Sequence, residues 1–255
     1  QNRYPDDPQA KSTIEQAFEG AVSASWTLTT PWWMEHHFGD APASGGESSA
    51  PYTYTWTYTD FAVNSMRLYL GVQTGASAYA ERMLKGVVWP QVEISLVEDE
   101  EVRISATGFY ADEESGTSLS AGTLVNKDAT PMQFHGGQLS VPASTQLAEL
   151  REATLSMDAA HRPQRNMNRK PQGARIGAVE TTLNPQKVVT GTDQLTLAYG
   201  NSTAPTTSVG GVDGAADGTL TFSSEDTDEH TWDLTGVTPN SLNWTNLADR
   251  DADTL

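Results

Sequence analysis

The sequence predicts a mainly β protein, a β-sandwich or barrel flanked by one or two short α-helices. Three observations predict it. Residues 52–59 read YTYTWTYT, a strict period-two alternation of aromatic and β-branched side chains that describes a strand with two unlike faces. Residues 91–107 alternate through Val92, Ile94 and Leu96, cross an acidic connection at Glu98-Asp99-Glu100-Glu101, and alternate again through Val102, Ile104 and Ala106. That is an antiparallel hairpin with one buried face and one wet face. Strand-like runs outnumber helix-like runs, and turn residues recur at short intervals. A chain of 255 residues suffices for one good core, so a single domain over 1–255 is expected.

The elements follow in order. Residues 1–20 are polar, with Pro5 and Pro8, and read as an N-terminal arm leading to Ile14 and Phe18. Ser23–Thr30 alternates as a strand with Trp26 and Leu28 on one face. Pro31 to Gly39 (PWWMEHHFG) has a proline suited to a first helical turn and a glycine suited to a helix end. Residues 40–50 form a loop by composition. After the aromatic strand, with Tyr52, Tyr54, Trp56 and Tyr58 on one face, Met66–Val72 is a further strand. Ala76–Lys85 reads as a short helical stretch closed by Gly86. Beyond the hairpin, residues 111–131, 158–175 and 200–217 are expected to be long loops. Strands are expected at 132–135, 138–141, 148–157, 174–183, 194–199, 218–223 and 230–234.

Charge is the strongest global signal. Fifteen Lys and Arg stand against 33 Asp and Glu, a net −18, and Lys11, Lys85, Lys127, Lys170 and Lys187 are the only lysines. In dilute buffer this surplus repels itself; in molar salt the screening length falls to about 3 Å and the repulsion largely disappears. Acids dispersed along the whole chain, with few lysines, fit a halophile. Such a chain is a poor ligand for nucleic acid, whose binding requires phosphate neutralisation. No cysteine is present, which excludes disulfides, thiolate metal sites and cysteine nucleophiles. No apolar run approaches the ~18 residues of a membrane helix, and no segment reads as a secretory leader.

Catalytic motifs are equally sparse. The histidines are His36, His37, His135, His161 and His230; adjacent His36 and His37 lack the i, i+4 spacing of a zinc helix. There is no Gly-x-Ser-x-Gly elbow, and Gly136-Gly137 and Gly210-Gly211 lack the lysine of a phosphate loop. Asp213 and Asp217 do not match calcium-loop spacing. Acidic pairs such as Glu100-Glu101 are weak evidence in so acidic a chain. The expectation is a non-enzymatic protein without cofactor or metal.

The order of elements resembles the tail tube proteins of tailed viruses. The resemblance runs over roughly residues 20–225. It comprises the helix ending in His37-Phe38-Gly39-Asp40, the aromatic strand, the segment closing on Leu84-Lys85-Gly86-Val87-Val88, the hairpin Val92–Leu96 into Val102–Gly108, Ala153–Asp158, and Gly218–Phe222. It departs after Asp158, where this chain has a long basic segment. The resemblance implies a β-sandwich flanked by a helix and closing into a ring β-barrel on oligomerisation. Rings of usually six copies stack into a hollow tube through which the genome leaves the capsid. With the composition, it implies a virus of a halophilic archaeon, a virion tail location after assembly in the host cytoplasm, other tail proteins as partners, no membrane, and genomic DNA that passes without specific binding.

Two residue sets follow as expectations. Glu93, Ser95, Arg103 and Ser105 on the hairpin, with Thr154, Ser156, Glu180 and Thr182 on later strands, are expected to face the lumen. Their strands carry apolar residues on one side and small polar or charged residues on the other. Arg162, Arg165, Arg169, Lys170 and Arg175 form a basic cluster with no acid between Asp158 and Glu180. They are expected to contact a neighbouring, acidic subunit. The rival from another class is an extracellular β-sandwich module of a halophile that binds carbohydrate or a cell surface; a secreted hydrolase is a third.

Overall fold

The computed structural model describes residues 18, 20–44, 53–59, 62–75, 78–116, 130–141, 146–147, 150–188, 216–224 and 228–238. The protein is mainly β. Its strands are β1 Gly20–Thr27, β2 Ala43–Ser44, β3 Tyr54–Thr55, β4 Met66–Gly75, β5 Ala78–Val97, β6 Arg103–Tyr110, β7 Asp112–Gly116, β8 Gly137–Ser140, β9 Leu150–Asp158, β10 Arg162–Gln164, β11 Gly173–Arg175, β12 Glu180–Lys187, β13 Ala216–Ser223 and β14 Glu229–Val237. A short helix, α1 at Glu35–Phe38, follows a 3₁₀ turn at Trp32–Met34. It ends on Gly39, whose φ of 110° only glycine adopts readily.

The main sheet is antiparallel in the order β1-β6-β5-β9-β12. β5 is twenty residues long and serves two neighbourhoods. Its C-terminal half lies between β6 and β9, and its N-terminal half lies between β4 and β7. The change occurs at Gly86, with φ 70°; a Cβ there would meet Ala111 at 2.9 Å. A register shift between Val88 and Gln91 lies beside it, as a bulge does when it bends a strand. The second sheet, β8-β13-β14, is antiparallel. Among the described residues neither sheet closes on itself.

Period two places the core. Val92, Ile94, Leu96, Val102, Ile104, Ala106, Ala153, Leu155 and Met157 are buried on one face of the main sheet. They share a single cluster with Leu139, Leu220, Phe222 and Trp232 of the second sheet and with Leu28, Trp33, Met34 and Trp89, so the two sheets pack on a common core. Each such aliphatic or aromatic side chain contributes roughly 1.5–3 kcal/mol on burial. Trp26 bridges Trp33 and Trp89, with ring centroids 6.1 and 5.9 Å apart, at the corner where α1 meets β5.

The hairpin, the Trp32–Phe38 turns and the strands near 66–72, 138–141, 148–157, 218–223 and 230–234 are present where the pattern puts them. Several expectations are corrected, beginning with the loop expected at 40–50, which contains β2. Ala76–Lys85 is no helix: from Ala78 it is β5. Ladders to β4 and β7 override the helix propensity of Ala, Glu, Arg, Met, Leu and Lys. Among the described residues the aromatic strand is paired only at Tyr54–Thr55, with Ala43–Ser44; residues 56–59 leave the ladder, and Tyr58 packs on His37 and Phe38. Residues 132–135 are no strand, because Phe134–Gly136 is a 3₁₀ turn. The loop expected at 111–131 begins with β7, and the one at 158–175 contains the β10–β11 ribbon. The strand expected at 174–183 is two, β11 and β12. Residues 1–17, 194–199 and most of 200–217 lie outside the described residues, and the described end of the N-terminal arm, Phe18, packs edge-on against Tyr110.

Candidate functional site: the polar sheet face

The residues opposite the core face assemble into one polar surface. Register makes it continuous. Glu93 lies between Ser105 and Ser156, Ser95 between Arg103 and Thr154, and Gln91 between Thr107 and Asp158. Ser156 continues to Thr182 and Asp158 to Glu180 on β12. On the other side Ser105 meets Ser25, and Arg103 meets Thr27, on β1. The eight residues expected to face the lumen, Glu93, Ser95, Arg103, Ser105, Thr154, Ser156, Glu180 and Thr182, lie on one face of one sheet, across β6, β5, β9 and β12.

The face is short-chained and hydroxyl-rich. Ser156 Oγ donates to Glu93 Oε2 at 3.4 Å, Gln91 Nε2 to Asp158 Oδ2 at 3.0 Å, and Ser105 Oγ to Ser25 Oγ at 3.5 Å. The Gln91 amide, then the Ala160 backbone N–H at 2.7 Å, hold the Asp158 carboxyl below the usual carboxylate range. By register and parity Glu93, Glu152, Asp158 and Glu180 stand here against Arg103, a formal charge of 1 − 4 = −3. Between Gln91, Glu93, Ser156, Asp158, Glu180 and Thr182 the face dips into a shallow cleft of about 420 Å³. Such a surface offers hydration and negative charge rather than a stacking platform. Among the described residues no three His, Cys, Asp or Glu side chains converge as a metal site.

The basic residues lie elsewhere, on the β10–β11 ribbon and its loop. Arg165 donates to the backbone oxygens of Phe18 and, at 2.9 Å, Arg169. Lys170 donates to Asp112 at 2.7 Å, a pair that holds the Asp112 carboxyl low. These two of the five serve the chain's own packing, which narrows the expected contact set. Arg162 and Arg175 are exposed and directly opposite each other.

One constellation has no counterpart in the sequence reading. His37 is fully buried on α1. Its Nδ1 donates to the Trp89 carbonyl at 2.7 Å, so its Nε2 accepts from the Tyr58 hydroxyl at 2.8 Å. His161, arriving 124 residues later, donates from Nε2 to the His37 carbonyl at 2.9 Å, and its buried Nδ1 has no partner. Burial lowers both histidines; His161 falls to about 4, with the neighbouring His37 adding to the effect. Burial raises the Tyr58 phenol to about 12. The cluster clamps α1, residues 53–59 and the segment after β9 onto β5. Adjacent His36 and His37 were the only sequence signal near it, and they do not point to His161.

No known protein family matches this chain, and no curated protein matches its sequence.

Proposed function

We propose that the chain is a non-enzymatic structural subunit of a viral tail tube, in a virus of a halophilic archaeon, and that the polar sheet face lines the channel. The observation that carries this reading is the continuous hydroxyl- and carboxylate-bearing face on a sheet whose two margins, β1 and β12, have no second strand neighbour among the described residues. Open edges of eight residues each are a liability for a lone molecule and an asset for a closed ring. A negative, hydrated wall repels phosphate, so a duplex slides rather than binds.

The dimensions agree. Six copies set 6 × 5 = 30 strands side by side. At about 4.8 Å per strand the ring is about 144 Å around and about 46 Å across before tilt enlarges it. Inward side chains, about 5 Å deep as half of a sheet-packing distance, leave an opening wider than a DNA duplex. An odd number of antiparallel strands leaves β1 and β12 running the same way, so a rotational ring joins them as a parallel pair. The ring carries 6 × −18 = −108 formal charges, hence a requirement for molar salt.

Negative-stain microscopy of the purified chain tests this. Rings or tubes in molar salt that dissociate on dilution toward 0.1 M are expected. A chain that stays monomeric at every salt and protein concentration refutes the proposal.

A second reading, a glycan- or surface-binding module, is favoured by one feature. Trp32 and Tyr54 are exposed, and with Trp56 they form a surface aromatic cluster. Their rings cross at 60°, 79° and 44°, whereas a sugar face stacks best on an open, flat aromatic surface. Glycan-array binding by a monomer would favour this second reading.

A further inference from the structure

The β10–β11 ribbon ends in an arrangement that its own fold does not explain. Asn166 and Met167 both have positive φ, 43° and 66°, at the centre of a tight turn closed by the Asn168 N–H donating to the Arg165 carbonyl at 2.6 Å. Such turns favour Asn or Gly. Asn166 fits; Met167 does not, because in this region Cβ crowds the following carbonyl and methionine has no short polar side chain to hydrogen-bond locally. The methionine gains nothing in return within the chain: its relative exposure is 106%, against 66% or less for the other exposed large apolar residues.

The turn is also held rigidly from below. Arg165 donates to the Phe18 carbonyl, the Phe18 N–H donates to the Arg169 carbonyl at 3.0 Å, and Lys170 pairs with Asp112. Pro171 is buried, and the Val63 N–H donates to the Ala174 carbonyl at 3.1 Å. A preorganised tip loses little freedom on docking. At the ribbon's other end Arg162 and Arg175 face each other across the ladder, a like-charge juxtaposition that disfavours the free ribbon and is relieved by an anionic partner.

We infer that the β10–β11 ribbon is a docking element, with Met167 as an apolar knob and Arg162 and Arg175 as a flanking carboxylate clamp, and that its partner is a second copy of this chain. The inference rests on the proposed self-assembly and adds the element that performs it. Charge complementarity selects the partner: the ribbon is basic, and every other copy carries a net −18. The apolar knob decides against DNA, since phosphate contacts require cations and have no use for a methionine held in a strained turn. Arginine suits the paired carboxylates of such a partner, which it binds through two parallel hydrogen bonds.

The full chain in molar salt is the test material. Because it has no cysteine, Met167→Cys creates a single thiol for a photo-crosslinking reagent. Crosslinks to a second copy are expected above the assembly concentration and not below it. Met167→Gly suits the turn and removes the knob. It should leave the Tm of the unassembled chain unchanged or higher, while the concentration needed for assembly rises roughly ten-fold, as expected for losing one buried apolar side chain. Met167→Leu should assemble as wild type. If wild type assembles and Met167→Gly assembles at the same concentration, or the thiol crosslinks only to added DNA, the docking assignment is overturned while the tube reading stands. If wild type never assembles, both fall.

Discussion

Acidification should destabilise this protein through His161 well before its carboxylates titrate. The ring is buried; its Nε2–H is used by the His37 carbonyl and its Nδ1 meets no donor or acceptor. The titratable groups that act on it are His37 and Asp158. Folding therefore depresses its pKa from 6.5 to about 4. At pH 7 both folded and unfolded states hold it neutral, and stability is full. As pH falls through 6.5 the unfolded chain takes up the proton and the folded chain does not, so stability declines until about pH 4 and then levels off. The whole window is worth about 3 kcal/mol, of which about 2 kcal/mol is gone by pH 5. For a chain of this size that lowers Tm by about 4–8 °C. Buried His37 and His230, also lowered, act in the same direction. Asp112, Glu113 and Asp158 are held below their ordinary range, so their contributions are lost only below about pH 4. Thermal melts by circular dichroism at pH 7, 6 and 5, in molar salt so that the −18 field is screened, would measure the slope. His161→Gln retains a donor for the His37 carbonyl and cannot titrate. Its slope should be clearly shallower than wild type. Equal losses of Tm in the two proteins would refute the assignment.

Two further outcomes test the fold and the site. Gly108→Ala should cost about 1–3 kcal/mol or prevent folding, because a Cβ at that position would lie 2.0 Å from the Val88 carbonyl oxygen; a melt matching wild type would contradict the β5–β6 packing. Ser105→Cys, the sole thiol in its chain, should react with a small maleimide before and after assembly but with a bulky polymer maleimide only before. Full labelling of assembled material by the bulky reagent would put the polar face on the outside.

The hairpin and its wet face were legible because period two is geometric: once Val92, Ile94 and Leu96 are buried, Glu93 and Ser95 are committed to the other side. The same rule, applied to β9 and β12, puts Thr154, Ser156, Glu180 and Thr182 on one face of the sheet. Ala76–Lys85 was misread because its residues favour a helix in isolation, and only pairing with Met66–Gly75 and Asp112–Gly116, invisible locally, makes it a strand. Tyr52–Thr59 misled in the opposite sense: alternation is a necessary mark of a strand, but aromatic rings can also leave the ladder to fill a corner, as Tyr58 does beside His37. The meeting of His37 with His161 had no local signal at all, since neither residue carries any pattern that refers to the other.

The twenty-residue strand β5 also sets a timetable for the nascent chain. Its first half can zip onto β4 as soon as it is made, and β6 follows immediately. The partner on its other margin, β9, is synthesised only after roughly 60 more residues, which at about 5–20 residues per second leaves that margin bare for about 3–12 s. An unpaired, apolar strand edge exposed for seconds is where newly made copies would first stick to one another in the wrong register. Glu93 on that strand and Glu98, Asp99, Glu100 and Glu101 at its end put negative charge along the waiting margin, where it discourages premature pairing. These acids act as timekeepers, delaying strand addition until the chain can supply its own.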